Sequence, residues 1–513
     1  MKNSFIYTVA LFPLISCSEK QELVNPNIIF ILADDLGYGD IASLNNEGKI
    51  KTPNVDRLVA EGVTFTDAHS SSAVSTPTRY GVLTGRYNWR STLKQGVLGV
   101  YNAPLIAKGR TTMPMMLKAC GYETGCFGKW HLGMNFPTID GSKAIDTPDE
   151  YTLDFSKEIT DGPVDRGFDY FFGVDAPNYP PYCFIENRHT LGNPSFYYPK
   201  RANLDSRAGR GLEDWNMSNI LPSIITKANE FIEKKTKEGK PFFMYLPLTS
   251  PHTPIVPTRM YEGKSCLNLY ADFVMETDYA VGRILKKLDE LGIADNTIVV
   301  FTSDNGCSPQ ANFSELGEKG HDPSYIFRGM KSDLFEGGHH VPCIVRWPEK
   351  AKPHTIEQTI CLTDFYRTFA SIVGYDVKDT EAEDSYDISS LLYKDEETEI
   401  LREATVHHSI NGSFAIRKGN WKLFMTSNSG GWSDSKPSNA ENSDPNAIQL
   451  YNLKNDPTED KDISNKYPEV VNELRSLLVD YILNGRSTPG KIQNNDGTRI
   501  WKQIKWIETD NYR

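Results

Sequence analysis

The stretch NPNIIFILADDLGYGD, residues 25–40, decides the fold of this chain. Its apolar run Ile28–Leu32 follows Pro26 and is not interrupted by any polar residue. Such a run indicates a strand that is buried on both faces, as in a parallel sheet covered by helices. We therefore expect Asp34 and Asp35 to lie at the carboxyl end of a central strand.

Two later stretches repeat this arrangement of an apolar run followed by polar residues. KPFFMYLPLTSPH (240–252) ends at His252, and NTIVVFTSDNG (296–306) ends its run at Asp304 and Asn305. Apolar residues at helical spacing in 269–293, between the two runs, predict a strand–helix–strand unit. Since open α/β sheets bind ligands beyond the carboxyl ends of their strands, we expect these polar groups to share one crevice.

The last third of the chain has a different pattern. GSFAIRKGNWKLF (412–424) and AIQLYNLKNDPTEDKDIS (447–464) are typical of short alternating strands, and 468–485 is typical of an amphipathic helix. The predicted fold class is therefore α/β, with a large, mostly parallel sheet flanked by helices over residues 25–375. A smaller α+β subdomain over residues 376–513 is expected to dock on it.

Length and charge exclude some classes of protein. The 513 residues, 39% of them hydrophobic, can bury a large core, and 55 basic against 67 acidic residues give a net charge of −12. This charge argues against a protein that binds nucleic acid through its overall field, so we expect no nucleic-acid partner.

The N-terminus, MKNSFIYTVALFPLISCSEK, is typical of an export signal. Its apolar run Phe5–Ile15 is too short to span a bilayer. Leu14-Ile15-Ser16-Cys17 resembles the bacterial lipobox, which implies a signal peptide over residues 1–17 and a lipid on Cys17; an ordinary signal peptide is the alternative. We expect a lipoprotein of the bacterial cell envelope, periplasmic or on the surface, that contacts the membrane only through its lipid anchor. The other cysteines are odd in number and lack CxxC pairs, which predicts buried thiols rather than a dense disulfide framework.

Four oxygen-bearing side chains follow two of the predicted strands: Asp34, Asp35, Asp304 and Asn305. Each pair alone is also typical of turns and helix caps. Together they suit a hard cation such as Ca²⁺ or Mg²⁺.

Basic residues have a complementary pattern. GKWHLG supplies Lys129 and His131, SPHTP supplies His252, and RGMKSDLFEGG supplies Lys331. A single lysine is usually solvated and a single histidine usually structural. A metal ion with several cations around it suits a tetrahedral anion, which indicates transfer or hydrolysis at phosphorus or sulfur.

AVSTPTRYGVLTGR (73–86) is, by itself, typical of a helix start capped by Ser or Thr, with Leu83 to Arg86 continuing the helix. The order Ser75, Pro77, Arg79 also resembles the signature of the formylglycine-dependent sulfatases. The other motifs match that family in the same order: ILADDLGYGD (31–40), GKWHLG (128–133), SPHTP (250–254), TSDNG (302–306) and RGMKSDLFEGG (328–338). The resemblance covers residues 27–392 and extends into the C-terminal part, and it implies an alkaline-phosphatase-like core.

The resemblance also implies how the site works. Ser75 would be oxidised to formylglycine (3-oxoalanine) and would join Asp34, Asp35, Asp304 and Asn305 around one Ca²⁺, with Mg²⁺ possible. A hydroxyl of the hydrated aldehyde would attack sulfur. The remaining roles fall to basic residues: Lys129 and Arg79 hold the formylglycine, His252 and Lys331 bind the sulfate, His252 donates the proton and His131 helps release sulfate.

Three positions depart from the commonest family pattern, among them Thr78, where the family often has Ser or Ala. Because Ser rather than Cys occupies position 75, maturation requires the oxygen-independent, anaerobic-type sulfatase-maturating enzyme that accepts Ser. Where many members have Glu-Gly-Gly-x-Arg-Val-Pro, this chain has His340 in place of the Arg, so no role can be transferred to that position.

The expected substrate is a sulfated oligosaccharide. GVDAPNYPPYCFIENRHTLGNP (173–194) and NGRSTPGKIQNNDG (484–497) resemble bacterial sulfatases close to N-acetylgalactosamine-6-sulfatase. This implies 6-O-sulfated galactose or N-acetylgalactosamine, in chondroitin sulfate or mucin O-glycans. Candidate sugar contacts are Asp175, Asn178, Tyr182, Asn187, Arg188 and His189; alternatively these residues only structure a long loop.

Two other functions compete with this interpretation. A phosphatase or phosphodiesterase of the alkaline phosphatase superfamily shares the sheet, but would use two zinc ions and further His and Asp ligands. A non-catalytic lipoprotein that binds sulfated glycans would carry an unmodified Ser75.

Overall fold

The computed structural model describes residues 25–142, 150–393, 399–434 and 447–509. Within these ranges, ten strands form the central sheet. In spatial order they are β13 (His354–Ile356), β2 (Val63–Phe65), β12 (Cys343–Arg346), β11 (Thr297–Ser303), β1 (Asn27–Asp34), β10 (Phe242–Pro251), β4 (Glu123–Lys129), β5 (Tyr170–Val174), β6 (Ile185–Glu186) and β7 (His189–Thr190). The predicted signal peptide and Cys17 lie outside the described residues.

The centre of this sheet is parallel, and antiparallel pairs flank it on both sides. β1 pairs in parallel with β10 and β11, and the parallel order continues from β10 through β4 to β5. β12 is antiparallel to β11, and the short strands β6 and β7 form a hairpin at the other edge. The predicted mostly parallel α/β sheet is therefore confirmed, with Asp34 at the carboxyl end of its central strand.

Helices cover both faces of the sheet. Alternate residues of β1 point to opposite faces, so they belong to two separate cores. Ile28, Phe30 and Leu32 belong to one core, and Ile29 and Ile31 to the other. The helices that pack on the first core are α2 (Ser75–Thr84), α3 (Met113–Ala119), α8 (Phe365–Val373) and α9 (Ser389–Tyr393). Those on the second are α1 (Pro53–Glu61), α4 (Ile220–Glu238), α5 (Leu269–Glu290) and α6 (Phe313–Glu318). The helix predicted between the last two buried strands is α5.

The C-terminal part forms the predicted small antiparallel sheet. Its strands are β15 (Thr405–His408), β16 (Phe414–Lys418), β17 (Trp421–Phe424) and β18 (Gln449–Asn452). The amphipathic helix α10 (Pro468–Leu483) packs on this sheet, and α11 (Trp506–Thr509) follows it. Three further short elements are β3 (Ala68–His69), α7 (Glu336–His339) and β14 (Ile360–Cys361), of which β3 and β14 pair in parallel. A two-stranded ribbon, β8 (Phe196–Tyr198) and β9 (Gly209–Gly211), completes the strands.

Every cysteine in the described residues is a free thiol, and all but Cys120 and Cys266 are buried. This confirms the expectation of buried thiols without a disulfide framework. Among the helices of the described ranges, none combines the length and apolar character required to cross a bilayer.

One buried histidine makes stability depend on pH. Burial, together with the nearby Lys94, lowers the pKa of His408 to about 3. Because an unfolded histidine titrates near 6.5, the neutral side chain stabilises the fold above that pH, and this contribution is lost as the pH falls. We expect the His408 contribution to fall by about 2 kcal/mol between pH 7.5 and pH 5.

Denaturant unfolding of the wild type and of His408→Gln at pH 7.5 and pH 5 measures this contribution. The loss of unfolding free energy on acidification should be smaller in the variant, whatever its stability at pH 7.5. An equal loss in both proteins would contradict the assignment.

Candidate active site

Ser75 lies beside the carboxyl ends of the central strands. It is the first residue of α2 and is 2% exposed. Its hydroxyl donates to the carboxylates of Asp34, at the end of β1, and Asp304, directly after β11. The three sequence-distant residues therefore meet, because parallel strands β1 and β11 end side by side.

The local structure around Ser75 corrects two sequence predictions. Val74, not a Ser or Thr, is the N-cap of α2, and no side chain caps this end of the helix. The helix ends at Thr84, since Gly85 adopts a left-handed conformation with φ of 62°. Arg86 is therefore outside the helix, where its guanidinium lies 3.3 Å from Glu383. The Ser75 hydroxyl donates to the two carboxylates and does not cap its own helix.

Two buried cations hold these carboxylates together. Arg79, one helical turn after Ser75, lies 2.8 Å from Asp304 and 3.2 Å from Asp34. The ammonium group of Lys129, at the end of β4, lies 2.9 Å from Asp34 and 3.3 Å from the Ser75 hydroxyl. All four charged side chains have no exposed surface, so each charge depends on its neighbours for compensation.

Asp35 organises the other half of the site. It adopts a left-handed backbone conformation with φ of 66°, and its amide donates to Asp304 at 3.1 Å. Lys331 lies 2.7 Å from its carboxylate. Asn305 donates to the same carboxylate at 2.8 Å, and the His252 imidazole lies 3.7 Å away.

The charges of this cluster set its protonation. Burial, reinforced by repulsion from Asp34, raises the pKa of Asp304 to about 6. Burial would also raise the pKa of Asp34, but Lys129 and His252 lower it well below its usual range. For His252, burial and the charge of Lys129 lower the pKa to about 4, so its imidazole is neutral near pH 7 in the absence of ligands.

The donor set fits a hard divalent cation. Asp34, Asp35 and His252 each offer one ligand atom, and these atoms lie within 4.8 Å of one another. The amide nitrogen of Asn305 donates twice, whereas its fully buried carbonyl oxygen has no hydrogen-bond partner among the described residues. An unpaired buried oxygen beside carboxylates is the arrangement that Ca²⁺ or Mg²⁺ coordination would satisfy.

His131 borders the cluster from the end of β4. Its Nε2 contacts the Leu98 carbonyl at 3.0 Å, and its buried Nδ1 has no partner among the described residues. Its backbone amide lies 3.2 Å from the carboxylate of Asp175. Burial raises the pKa of Asp175 to about 6. Asp175 therefore supports the backbone that carries His131.

The other predicted sugar contacts fall into two groups. Asn178 and the buried Tyr182 belong to one loop, where the Tyr182 hydroxyl donates to the carbonyls of Asn178 and Arg207. Asn187 and Arg188 form the turn of the β6–β7 hairpin, where Arg188 pairs with Asp165 at 2.7 Å.

His189, in that hairpin, lies 3.7 Å from Glu158. The hairpin residues thus contact side chains outside the acidic cluster. The catalytic, metal-binding and sugar-binding roles given to individual residues stay predictions.

Sequence reasoning missed a polar group beside His252. Thr253, the next residue, donates to Asp205 at 3.1 Å, and Asp205 also pairs with Arg207 at 2.8 Å. The Arg207 guanidinium lies over the Tyr179 ring, 5.6 Å from its centroid. Asp205 and Arg207 come from the segment before β9, which has no recognisable motif.

A second missed contact comes from the C-terminal subdomain. The backbone amide of Trp432 donates to the hydroxyl of Ser332 at 2.8 Å, directly beside Lys331. Trp432 is 43% exposed. Trp432 is far along the chain from every other site residue, so the sequence did not predict this contact.

Comparison with known proteins places this site in a family. The family model described as Sulfatase matches residues 26–375. The chain belongs to the sulfatase family. This sulfatase is 34% identical to the N-acetylgalactosamine-6-O-sulfatase of Bacteroides thetaiotaomicron, over 91% of this chain and 96% of the relative. It is a sulfuric ester hydrolase with an alkaline-phosphatase-like fold.

Solved structures show the same fold. A structure from work on glycosaminoglycan metabolism by Bacteroides thetaiotaomicron superposes on this sulfatase with a TM-score of 0.76 and 32% identity, covering 89% of this chain and 99% of the other. A phosphonate monoester hydrolase of Agrobacterium radiobacter has a TM-score of 0.56 at 18% identity, covering 88% and 94%. The fold alone therefore does not distinguish sulfate from phosphonate chemistry.

Proposed function

We propose that this sulfatase removes 6-O-sulfate from galactose or N-acetylgalactosamine units of glycans of the chondroitin sulfate or mucin type. The observation that carries the proposal is the position of Ser75. Its hydroxyl donates to the carboxylates of Asp34 and Asp304 and lies 3.3 Å from the ammonium group of Lys129. The preference for 6-sulfated galacto-sugars rests on the likeness to an N-acetylgalactosamine-6-O-sulfatase over most of both chains.

The proposed cofactors are a formylglycine made from Ser75 and one Ca²⁺ held by Asp34, Asp35, Asp304 and Asn305, with Mg²⁺ as a substitute. Together they supply a nucleophilic oxygen at neutral pH and an electrophilic centre that stabilises its charge. The side chains around them bind and orient. Lys129 and Arg79 keep residue 75 against the carboxylates, and Lys331 offers positive charge to a sulfate oxygen.

His252 is the proposed proton donor to the leaving alcohol. Its pKa is lowered to about 4 in the absence of ligands, by burial and by Lys129. A sulfate ester brings negative charge beside the imidazole, which raises the pKa and favours the protonated form. The imidazole thus gains its proton together with the substrate, which suits an acid needed only in the complex.

The proton-donor role predicts a dependence on the leaving group. Replacing His252 by Ala should lower kcat/KM by about 10²–10³-fold on a sulfated sugar, whose alkoxide leaves poorly without a proton. An aryl sulfate leaves as a stable phenolate, so its loss should stay below about 10-fold. Parallel kinetics of both substrates measure the ratio, and equal losses would exclude the donor role.

Sulfate release tests the substrate assignment. Ion chromatography should show faster release from 6-sulfated galactose and N-acetylgalactosamine than from 4-sulfated N-acetylgalactosamine or 6-sulfated glucosamine. The reverse order would overturn the substrate while leaving the sulfatase activity intact. Release of phosphate from the matching phosphate esters provides the control for phosphatase chemistry.

Maturation and location complete the proposal. We infer that an anaerobic-type sulfatase-maturating enzyme oxidises Ser75, because residue 75 is Ser in the family signature. We also infer that a lipid on Cys17 anchors the enzyme in a bacterial envelope, with its substrate reaching it in the periplasm or at the surface.

A further inference from the structure

Three buried histidines meet where the small C-terminal sheet packs against the core. They are His69 on β3, His339 at the end of α7 and His407 on β15. None has exposed surface, and one ring nitrogen of each lies within 4.8 Å of the others. The His339 and His407 rings stack with centroids 3.8 Å apart. The acidic site contains none of these residues.

His407 is unsatisfied in this arrangement. Neither of its ring nitrogens has a hydrogen-bond partner among the described residues. Leaving a buried polar group unpaired costs about 1–3 kcal/mol. Because no hydrogen bond within the described residues occupies its ring nitrogens, His407 has a lone pair available to a ligand.

His69 and His339 face each other through their Nδ1 atoms, which are 3.0 Å apart. The Nε2 of His69 lies 2.9 Å from a carboxylate oxygen of Asp67, and the Nε2 of His339 lies 2.9 Å from the carbonyl of Leu334. The tautomer with a hydrogen on each Nε2 satisfies these acceptors and leaves two Nδ1 lone pairs pointing at each other. A carboxylate or carbonyl behind the far nitrogen is the usual support of a metal-bound histidine.

A shared proton is the competing explanation for the short Nδ1–Nδ1 distance. Arg417 lies 2.9 Å from the Nε2 of His69, and Lys422 lies 3.1 Å from that of His339. A single Nδ1–H on one of the two neutral rings satisfies this distance without a metal, and the zinc titration described below distinguishes the two arrangements.

We propose that His69, His339 and His407 bind one divalent transition-metal ion of the zinc type through three imidazole nitrogens. Imidazole is a preferred donor for zinc, and Zn–N distances of about 2.0–2.1 Å place two ligand nitrogens roughly 3.3 Å apart in a tetrahedral site. The Nδ1 separation of 3.0 Å is close to that spacing. Three protein ligands leave the fourth position to water.

The charges and packing around the histidines are compatible with an added cation. Asp67 and Glu336 offset Arg417 and Lys422, and Glu459 lies 2.8 Å from Lys422. A surface cavity of about 860 Å³, lined by residues that include Asp67 and Arg417, reaches the edge of the cluster and offers an entry path.

The proposed ion would connect three segments that shape the active site. His69 leads into the loop before Ser75, and His339 closes the segment that carries Lys331. Beside His407, the His408 carbonyl accepts from Ala73, two residues before Ser75. Bound zinc would therefore fasten the C-terminal sheet to the Ser75 loop, a structural role independent of the proposed substrate.

Zinc titration of the calcium-saturated, full-length protein tests this site. We expect one zinc ion per chain, an X-ray absorption spectrum with imidazole nitrogens at about 2.0–2.1 Å, and a higher Tm with zinc. His407→Gln should weaken zinc binding by at least about 100-fold and abolish the rise in Tm. An Asp34→Asn variant should keep the zinc, since its substitution alters only the acidic site.

His408→Gln is the matched control, because His408 is the neighbouring buried histidine on the same strand and points to the opposite face. It should bind zinc like the wild type. The proposal is overturned if the wild type takes up no zinc beyond calcium, if its spectrum lacks imidazole scattering, or if Asp34→Asn loses the ion. Because the wild-type spectrum alone decides the ligands, failure of His407→Gln to fold leaves the test valid.

Discussion

Replacing Ser75 by Ala should lower sulfate release by about 10⁴-fold or more, because alanine has no oxygen to oxidise and offers no nucleophile. The hydroxyl of Ser75 is shared by Asp34 and Asp304 at the buried start of α2. Removing this hydroxyl does not remove a helix cap, since no side chain caps the start of α2. The variant should therefore fold and bind sulfated sugar while failing to turn it over.

Two companion variants make this result specific. Ser72→Ala removes another buried hydroxyl of the same loop, whose partner is the His408 carbonyl at 2.7 Å, and should keep its activity within about 10-fold. Ser75→Cys restores the other residue that the family signature allows, so it should recover turnover with the maturating enzyme. Activity of Ser75→Ala comparable to that of the wild type would exclude Ser75 as the precursor of the nucleophile.

Replacing Asp304 by Asn should separate activity from stability. Asp304 is fully buried beside Asp34 and Arg79, and burial and Asp34 raise its pKa to about 6. Removing its charge should lower kcat/KM by at least about 10²–10³-fold, since the proposed cation loses a ligand. Without the cation, the same change should stabilise the protein by on the order of 1–3 kcal/mol, because one buried negative charge disappears.

Steady-state kinetics measures the loss of kcat/KM, and denaturant unfolding with and without Ca²⁺ measures the change in stability. Calcium should stabilise the wild type strongly and Asp304→Asn little, so that the order of stability reverses when the ion is added. Asp278→Asn is the matched control: burial also raises the pKa of Asp278 to about 6, but this carboxylate accepts from the start of α1. It should keep its calcium response. An Asp304→Asn protein that calcium stabilises like the wild type would exclude Asp304 as a ligand.

The sequence was most informative where the acidic and basic site residues directly follow a buried strand. The carboxyl ends of β1, β10 and β11 carry Asp34, His252 and Asp304, so the three apolar runs followed by polar residues were sufficient to predict that these side chains meet. Parallel pairing places those ends at one edge of the sheet. The same logic predicted α5 and the small C-terminal sheet.

Contacts made by irregular segments could not be predicted in this way. Asp205, Arg207 and Trp432 reach the site through loops whose direction is set by tertiary packing, and no periodicity precedes them. The Ser75 helix was predicted with the wrong cap because local preference favours Ser at the N-cap, whereas here the carboxylates accept the hydroxyl. The three buried histidines are separated by up to 338 residues and belong to unrelated motifs, so only the folded chain brings them together.

Mass spectrometry of tryptic peptide 58–79, which contains Ser75, tests the central claim most directly. The protein is produced together with the anaerobic-type maturating enzyme and digested after calcium removal. The account predicts a peptide that is lighter by two hydrogen atoms and reacts with an aldehyde-specific hydrazide, in a fraction that rises with specific activity. Fully active protein whose peptide carries only unmodified serine would contradict it.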